Sequence, residues 1–107
     1  MTSKQDLPLE KDFQRAVLKK LRDISGSWWV KINDRVTVGL PDLIGCVSGV
    51  FVAIELKTKT KVTALQAHTL RRITRSGGQA FVVNPDNWNE VYALILKIAA
   101  LGGPESP

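Results

Sequence analysis

The sequence predicts an α/β fold in which a central mixed sheet is flanked by helices, in the order α-β-β-β-α-β-α. Three observations carry that reading. Apolar residues recur at helical spacing in the segments beginning at Leu9 and Leu65, and apolar, β-branched runs of strand length lie between and after them. The runs on either side of Ser48-Gly49 are apolar on both alternating faces, as in a sheet covered on two sides. The chain has 107 residues, 44% of them hydrophobic and 23% charged, which suits one globular domain with a modest core. That domain is expected over residues 1–101, with 102–107 as a tail.

Taken in order, residues 6–23 read as a helix. Asp6 is placed to cap it and Pro8 suits its first turn. Leu9, Phe13, Ala16, Val17, Leu21 and Ile24 form its apolar stripe, and Ser25-Gly26-Ser27 ends it. Trp28 to Ile32 reads as a strand, with one tryptophan in the core and the other partly exposed. Asn33 to Gly39 is a polar loop carrying Asp34 and Arg35. Pro41–Val47 and Val50–Lys57 are the strands of a hairpin turned at Ser48-Gly49. Thr63, with Gln66 three residues on, forms a capping box for a second helix, whose buried side is Leu65, Leu70 and Ile73. Ser76-Gly77-Gly78 stops it. Gln79–Val83 is the fourth strand, and Asn84-Pro85-Asp86-Asn87 turns into a last helix that runs to about Leu101.

Composition narrows the function. No apolar run approaches the roughly 20 residues of a membrane-spanning helix, and the N-terminus lacks the apolar stretch of a signal peptide. The single cysteine, Cys46, cannot form an internal disulfide, so a reducing intracellular setting is expected. One Cys and one His exclude a Cys/His zinc cluster within one chain. The net charge is +5, and its placement says more than its size. From Lys57 to Pro85 there is no acidic residue, while Lys57, Lys59, Lys61, Arg71, Arg72 and Arg75 all fall there. Elsewhere acidic residues outnumber basic ones. A local cationic stretch suits a polyanion such as DNA.

The hairpin supplies the chemistry. If Val47 and Val50 close its turn, Asp42 falls opposite Glu55 on the same face of the sheet. Carboxylates opposed across strands repel, and a divalent cation between them would account for the arrangement. Mg²⁺ takes oxygen ligands and keeps several waters, so two strand carboxylates and a main-chain carbonyl, that of Leu56, would form such a shell. Lys57, two residues beyond Glu55, points to the same face. It could orient or deprotonate a water, or neutralise charge on a phosphate.

Gly39-Leu40-Pro41-Asp42, then Glu55-Leu56-Lys57, then Gln66 in the next helix, resemble the PD-(D/E)XK nuclease superfamily. Within it the chain is most similar to the virus-type replication-repair nuclease (VRR-NUC) domain. Gly39-x-Pro41-Asp42-Leu43-Ile44-Gly45 resembles that family's G-x-PD segment, and Gly49-x-Phe51-Val52-Ala53-Ile54-Glu55-x-Lys57 its hairpin strand. Gln66 with Leu70 and Ile73, followed by Gly77-Gly78-x-Ala80, resembles its next helix and strand, and Glu10 with Phe13 and Gln14 its first helix. The resemblance spans roughly Leu9 to Leu96.

It implies a restriction-endonuclease-like core and hydrolysis of phosphodiester bonds with Mg²⁺ or Mn²⁺. Asp42 and Glu55 would be metal ligands, Lys57 the catalytic lysine, and Glu10 a further ligand, direct or through water. Glu10 has a second reading as an acid complementing its helix dipole. Gln66 likewise reads as an active-site residue or as the third member of its capping box. Lys57, Lys59, Lys61, Arg71, Arg72, Arg75 and Arg35 are the expected DNA contacts. Stand-alone members of this size resemble phage and bacterial enzymes of branched DNA. The implied substrate is therefore a Holliday junction, and paired incision there implies a homodimer. A nuclease or nickase on flaps, ends or duplex is the alternative within the class; a non-catalytic DNA-binding module is the alternative outside it.

Overall fold

The computed structural model describes residues 10–33 and 36–101. Asp6, Pro8, Leu9, Asp34, Arg35 and the tail from 102 lie outside the described residues. The element order is α1 (Glu10–Arg22), β1 (Ser27–Lys31), β2 (Leu43–Val47), β3 (Val50–Leu56), α2 (Ala64–Arg75), β4 (Gln79–Val83) and α3 (Trp88–Leu101). This is the expected α-β-β-β-α-β-α order. The strands form one mixed sheet in the order β1-β2-β3-β4. β1, β2 and β3 pair antiparallel, and β4 pairs parallel to β3, with α2 as the crossover between them.

The hairpin forms in the expected register, with Val47 opposite Val50 and Leu43 opposite Ile54. Ser48 and Gly49 both have positive φ, 47° and 88°, as a two-residue hairpin turn with the right twist requires. The Ser48 N–H donates to the Gly26 carbonyl at 2.8 Å and its hydroxyl to the Ala99 carbonyl at 3.1 Å. The turn is thus tied to the start of β1 and the end of α3. β1 begins one residue earlier than expected and β2 two residues later. Pro41 has no N–H for a ladder, and Asp42 sits in a bend, although its carbonyl still accepts from Ile32 N–H at 2.8 Å.

One face of the sheet carries the core. Phe13, Val17 and Leu21 of α1 and Val91 and Ile95 of α3 pack with Leu43, Val47, Val52, Ile54 and Leu56. Ala16, expected in the α1 stripe, is exposed, because the buried residues fall at the narrower 13, 17, 21 spacing. Trp29 joins the core, lying over Gly45, where any Cβ would collide with its indole ring. Trp28, one residue away and on the opposite face, is 61% exposed.

α2 covers part of that opposite face. Its capping box is present as expected: Thr63 Oγ1 accepts from Gln66 N–H and Gln66 Oε1 accepts from Thr63 N–H. At the other end Gly78 N–H reaches the Ile73 carbonyl and Gly77 N–H the Thr74 carbonyl, closing the last turn with Gly77 at a φ of 99°. Leu70 is buried and Ile73 half-buried, but Leu65 is 45% exposed, contrary to expectation. It lies in the first turn beside Gly39, outside the strip of α2 that meets the sheet.

Candidate active site

Asp42 and Glu55 reach the same place from adjacent strands. One step beyond the Leu43–Ile54 pair they stand opposite each other. Asp42 Oδ2 accepts from Leu56 N–H at 2.7 Å, which fixes its carboxylate against β3. Glu55 is only 2% exposed and is the single charged residue buried in the described part of the chain. Its Oε2 accepts from Gln66 Nε2 at 3.0 Å and lies 3.5 Å from Lys57 Nζ. Among the described residues, its Oε1 is buried with no hydrogen-bond partner.

This environment opposes ionisation. Burial, then the negative charge of Asp42, push the Glu55 carboxyl up to about 7, against the attraction of Lys57. Burial also raises Asp42; the Leu56 N–H works against that rise and the charge of Glu10 adds to it. Two neighbouring carboxyls that both resist losing their protons form a site that gains from a cation. The unpartnered Oε1 points the same way, since a buried acceptor without a donor is costly. In an extended strand the N–H and C=O of a residue share an edge. The Leu56 carbonyl is therefore on the side where its N–H meets Asp42. Hard oxygen donors of this kind fit Mg²⁺ or Mn²⁺.

Gln66 makes the expected capping box and also contacts Glu55. Its Oε1 completes the capping box while its Nε2 holds Glu55. The two ends of one amide are thereby assigned, and α2 is coupled to the carboxylate. Glu10, in the first turn of α1, accepts from Thr58 N–H and Oγ1 at 3.4 and 3.3 Å. Its charge is felt at Asp42. Among the described residues no three Asp, Glu, His or Cys side chains are grouped closely enough to hold a metal by themselves. Thr58 had no sequence signal for this role, because only the fold brings it to α1.

The described basic residues are not all on one side of α2. Lys57, Lys59 and Lys61 line a cleft of about 540 Å³ with Asn84, Pro85 and Asp86, at the end of β3 and β4 where Lys57 meets Glu55. Arg71 and Arg75 lie one helical turn apart beside Ala80 and Val82, on the β4 side of α2. Arg72 and His68 line a separate groove on the other side of the helix, with Phe51 and Leu65. Arg35 lies outside the described residues. No helix among the described residues is long and apolar enough to cross a membrane.

Neither a protein-family model nor a curated protein matches the sequence. Among solved structures, the fold is similar to that of a VRR_NUC domain protein, with a TM-score of 0.69 and 19% sequence identity, over 91% of this chain and 93% of that one. At that identity the likeness establishes the fold. The expected restriction-endonuclease-like architecture of the VRR-NUC type is the one the chain adopts.

Proposed function

We propose that the protein is a metal-dependent endonuclease that hydrolyses phosphodiester bonds in branched DNA, with the four-way junction as its preferred form. The observation that carries this reading is the buried pair Asp42 and Glu55, with Lys57 Nζ 3.5 Å from Glu55 and Glu55 Oε1 lacking a partner among the described residues. The fold likeness supports it, since the similar structure bears the name of a nuclease domain. A non-catalytic DNA-binding module would have no reason to keep two facing carboxyls that destabilise it.

Asp42, Glu55 and the Leu56 carbonyl would hold Mg²⁺ or Mn²⁺, which when bound supplies an acidic water and offsets charge on the phosphate. Leu56 N–H and Gln66 Nε2 aim the two carboxylates, so little reorganisation is needed when DNA arrives. Lys57 stands beside them to orient the attacking water and to stabilise negative charge on the phosphate oxygens. Glu10 acts from farther out, through water, while anchored to Thr58. Lys59 and Lys61 extend the cationic cleft from Lys57 and hold neighbouring phosphates. Arg71, Arg72 and Arg75, on two sides of α2, meet different strands rather than one. Paired incision of a four-way junction needs two such sites, supplied by a homodimer.

The experiment is cleavage of four-way junction, flap, single-stranded and linear duplex DNA with Mg²⁺, beside a chelator control and Asp42→Ala, with the protein's mass measured by sedimentation. Junction cleavage by a dimer, abolished by chelator and by Asp42→Ala, is the expected result. Full activity in chelator or in Asp42→Ala sinks the mechanism. Preference for flaps or duplex, or activity as a monomer, keeps the chemistry and replaces the substrate.

A further inference from the structure

On the side of α2 away from Arg71 and Arg75, a groove of about 550 Å³ runs between the helix, β3 and the loop before Asp42. Its volume is that of a small-ligand site, roughly 300–1,000 Å³, and too small for duplex DNA. Phe51, 42% exposed, forms its floor with Ile73 and Leu65. The floor is kept low by Gly78, where a Cβ would press on Ile73, the Phe51 ring and its carbonyl. Arg72 and His68, one helical turn apart, stand on the rim, and no carboxylate among the described residues lines it.

Two residues that line the groove are near neighbours of the site in the chain: Leu40 precedes Pro41-Asp42, and Leu65 precedes Gln66, whose amide holds Glu55. A strand passing the carboxylates on this side meets an apolar floor with the Arg72 guanidinium beside it. That pairing matches a nucleotide, which offers an apolar base face and an anionic phosphate.

We infer that this groove receives an unpaired nucleotide next to the scissile phosphate, its base over Phe51 and its phosphate at Arg72, and thereby selects branched over continuous DNA. The inference rests on the nuclease reading. A paired base must be unstacked before it can enter, which costs free energy that an unpaired or branch-point base does not incur. The groove thus gives a chain with little surface for reading sequence a way to read DNA form.

The test uses the Asp42→Asn protein with Mg²⁺, so that binding is read without cleavage. The DNA is either a flap carrying 2-aminopurine at the unpaired branch-point position or a fully paired linear duplex. Binding of the flap should change the probe's fluorescence. Phe51→Thr, which keeps a strand-favouring residue, should suppress that change and weaken flap binding roughly tenfold, the scale of one lost base contact. Duplex binding should stay nearly constant. Arg72→Gln, at an exposed helix position, should weaken flap binding without unfolding the protein, which thermal melts check. Equal losses on flap and duplex, or an unchanged probe signal in Phe51→Thr, overturn the inference. So does conversion of a dimer to a monomer by Phe51→Thr with DNA selection intact, which would make the groove a contact between copies. If the expected binding pattern holds but the protein without the Asp42 substitution cuts no DNA, the nuclease reading fails and the groove stands. If no DNA binds, both fail.

Discussion

Leu43, Val47, Val52, Ile54 and Leu56 point to one face of the sheet and are sealed from solvent under α1 and α3. One residue along the same strands, Asp42, Cys46, Phe51 and Glu55 point to the other face, which α2 covers only in part. On the hairpin strands the first face carries only apolar side chains, and burial stabilises it. The second buries a glutamate, leaves one of its oxygens without a partner and exposes a phenylalanine. The period-2 alternation of a strand makes this division possible. Neighbouring residues thus meet opposite environments, and the stable face tolerates the unfavourable electrostatics of the other.

Adjacent substitutions across that division should separate the two roles. Glu55→Gln keeps the shape of the side chain and removes its charge. Loss of a metal-assisted step is worth several kcal/mol, so cleavage should fall roughly 10³-fold or more while the fold persists. Ile54→Ala, one residue away, should lower unfolding free energy by about 2–5 kcal/mol, with specific activity retained by the folded fraction. Denaturant titration and initial rates measure the two. Comparable activity loss in folded Ile54→Ala would break the comparison.

A smaller effect is expected with pH. The Glu55 carboxyl is raised in the folded protein, to about 7 from an ordinary 4.5. Between those values the folded state holds a proton that the unfolded state has lost. Stability without metal should therefore fall as pH rises from about 4.5 to 7 and level off above, by on the order of 2 kcal/mol. Glu55→Gln should flatten the slope. Asp42→Asn, which keeps an acceptor for Leu56 N–H, should raise the melting temperature near neutral pH. Thermal melts across pH in chelator test both, and a stability that climbs toward neutral pH would show that the carboxyls are not opposed. The smallest effect belongs to Thr63→Ala, which removes one half of the α2 capping box at about 1 kcal/mol. It should also lower cleavage a few-fold by loosening Gln66, with Thr63→Ser restoring both.

Local rules made much of this legible in the sequence. Ser48-Gly49 between alternating runs set the register, and the register put Asp42 against Glu55. Thr63 and Gln66 announced their capping box by spacing alone. The joint role of Gln66 was not legible, because it depends on which end of the amide faces the sheet. The exposure of Leu65 and the division of Arg72 from Arg71 and Arg75 depend on the angle at which α2 meets the sheet, and helical spacing does not encode that angle. The Glu10–Thr58 contact joins segments far apart in the chain, with no local pattern to signal it.

Asp42, Glu55, Lys57 and Gln66 all come from one hairpin, its flanking residues and the first turn of the helix after it. Few long loops have to close before these groups meet, so the entropy of assembling the site is small. Only Glu10 must arrive from a distant segment, and it does so at the rim. The rest of the domain holds the four groups in place: Ser48 ties the hairpin turn to the end of α3, and the Val83 carbonyl of β4 accepts from Lys57 N–H. The candidate site is thus gathered on a short, contiguous stretch of chain, with the rest of the domain as its support.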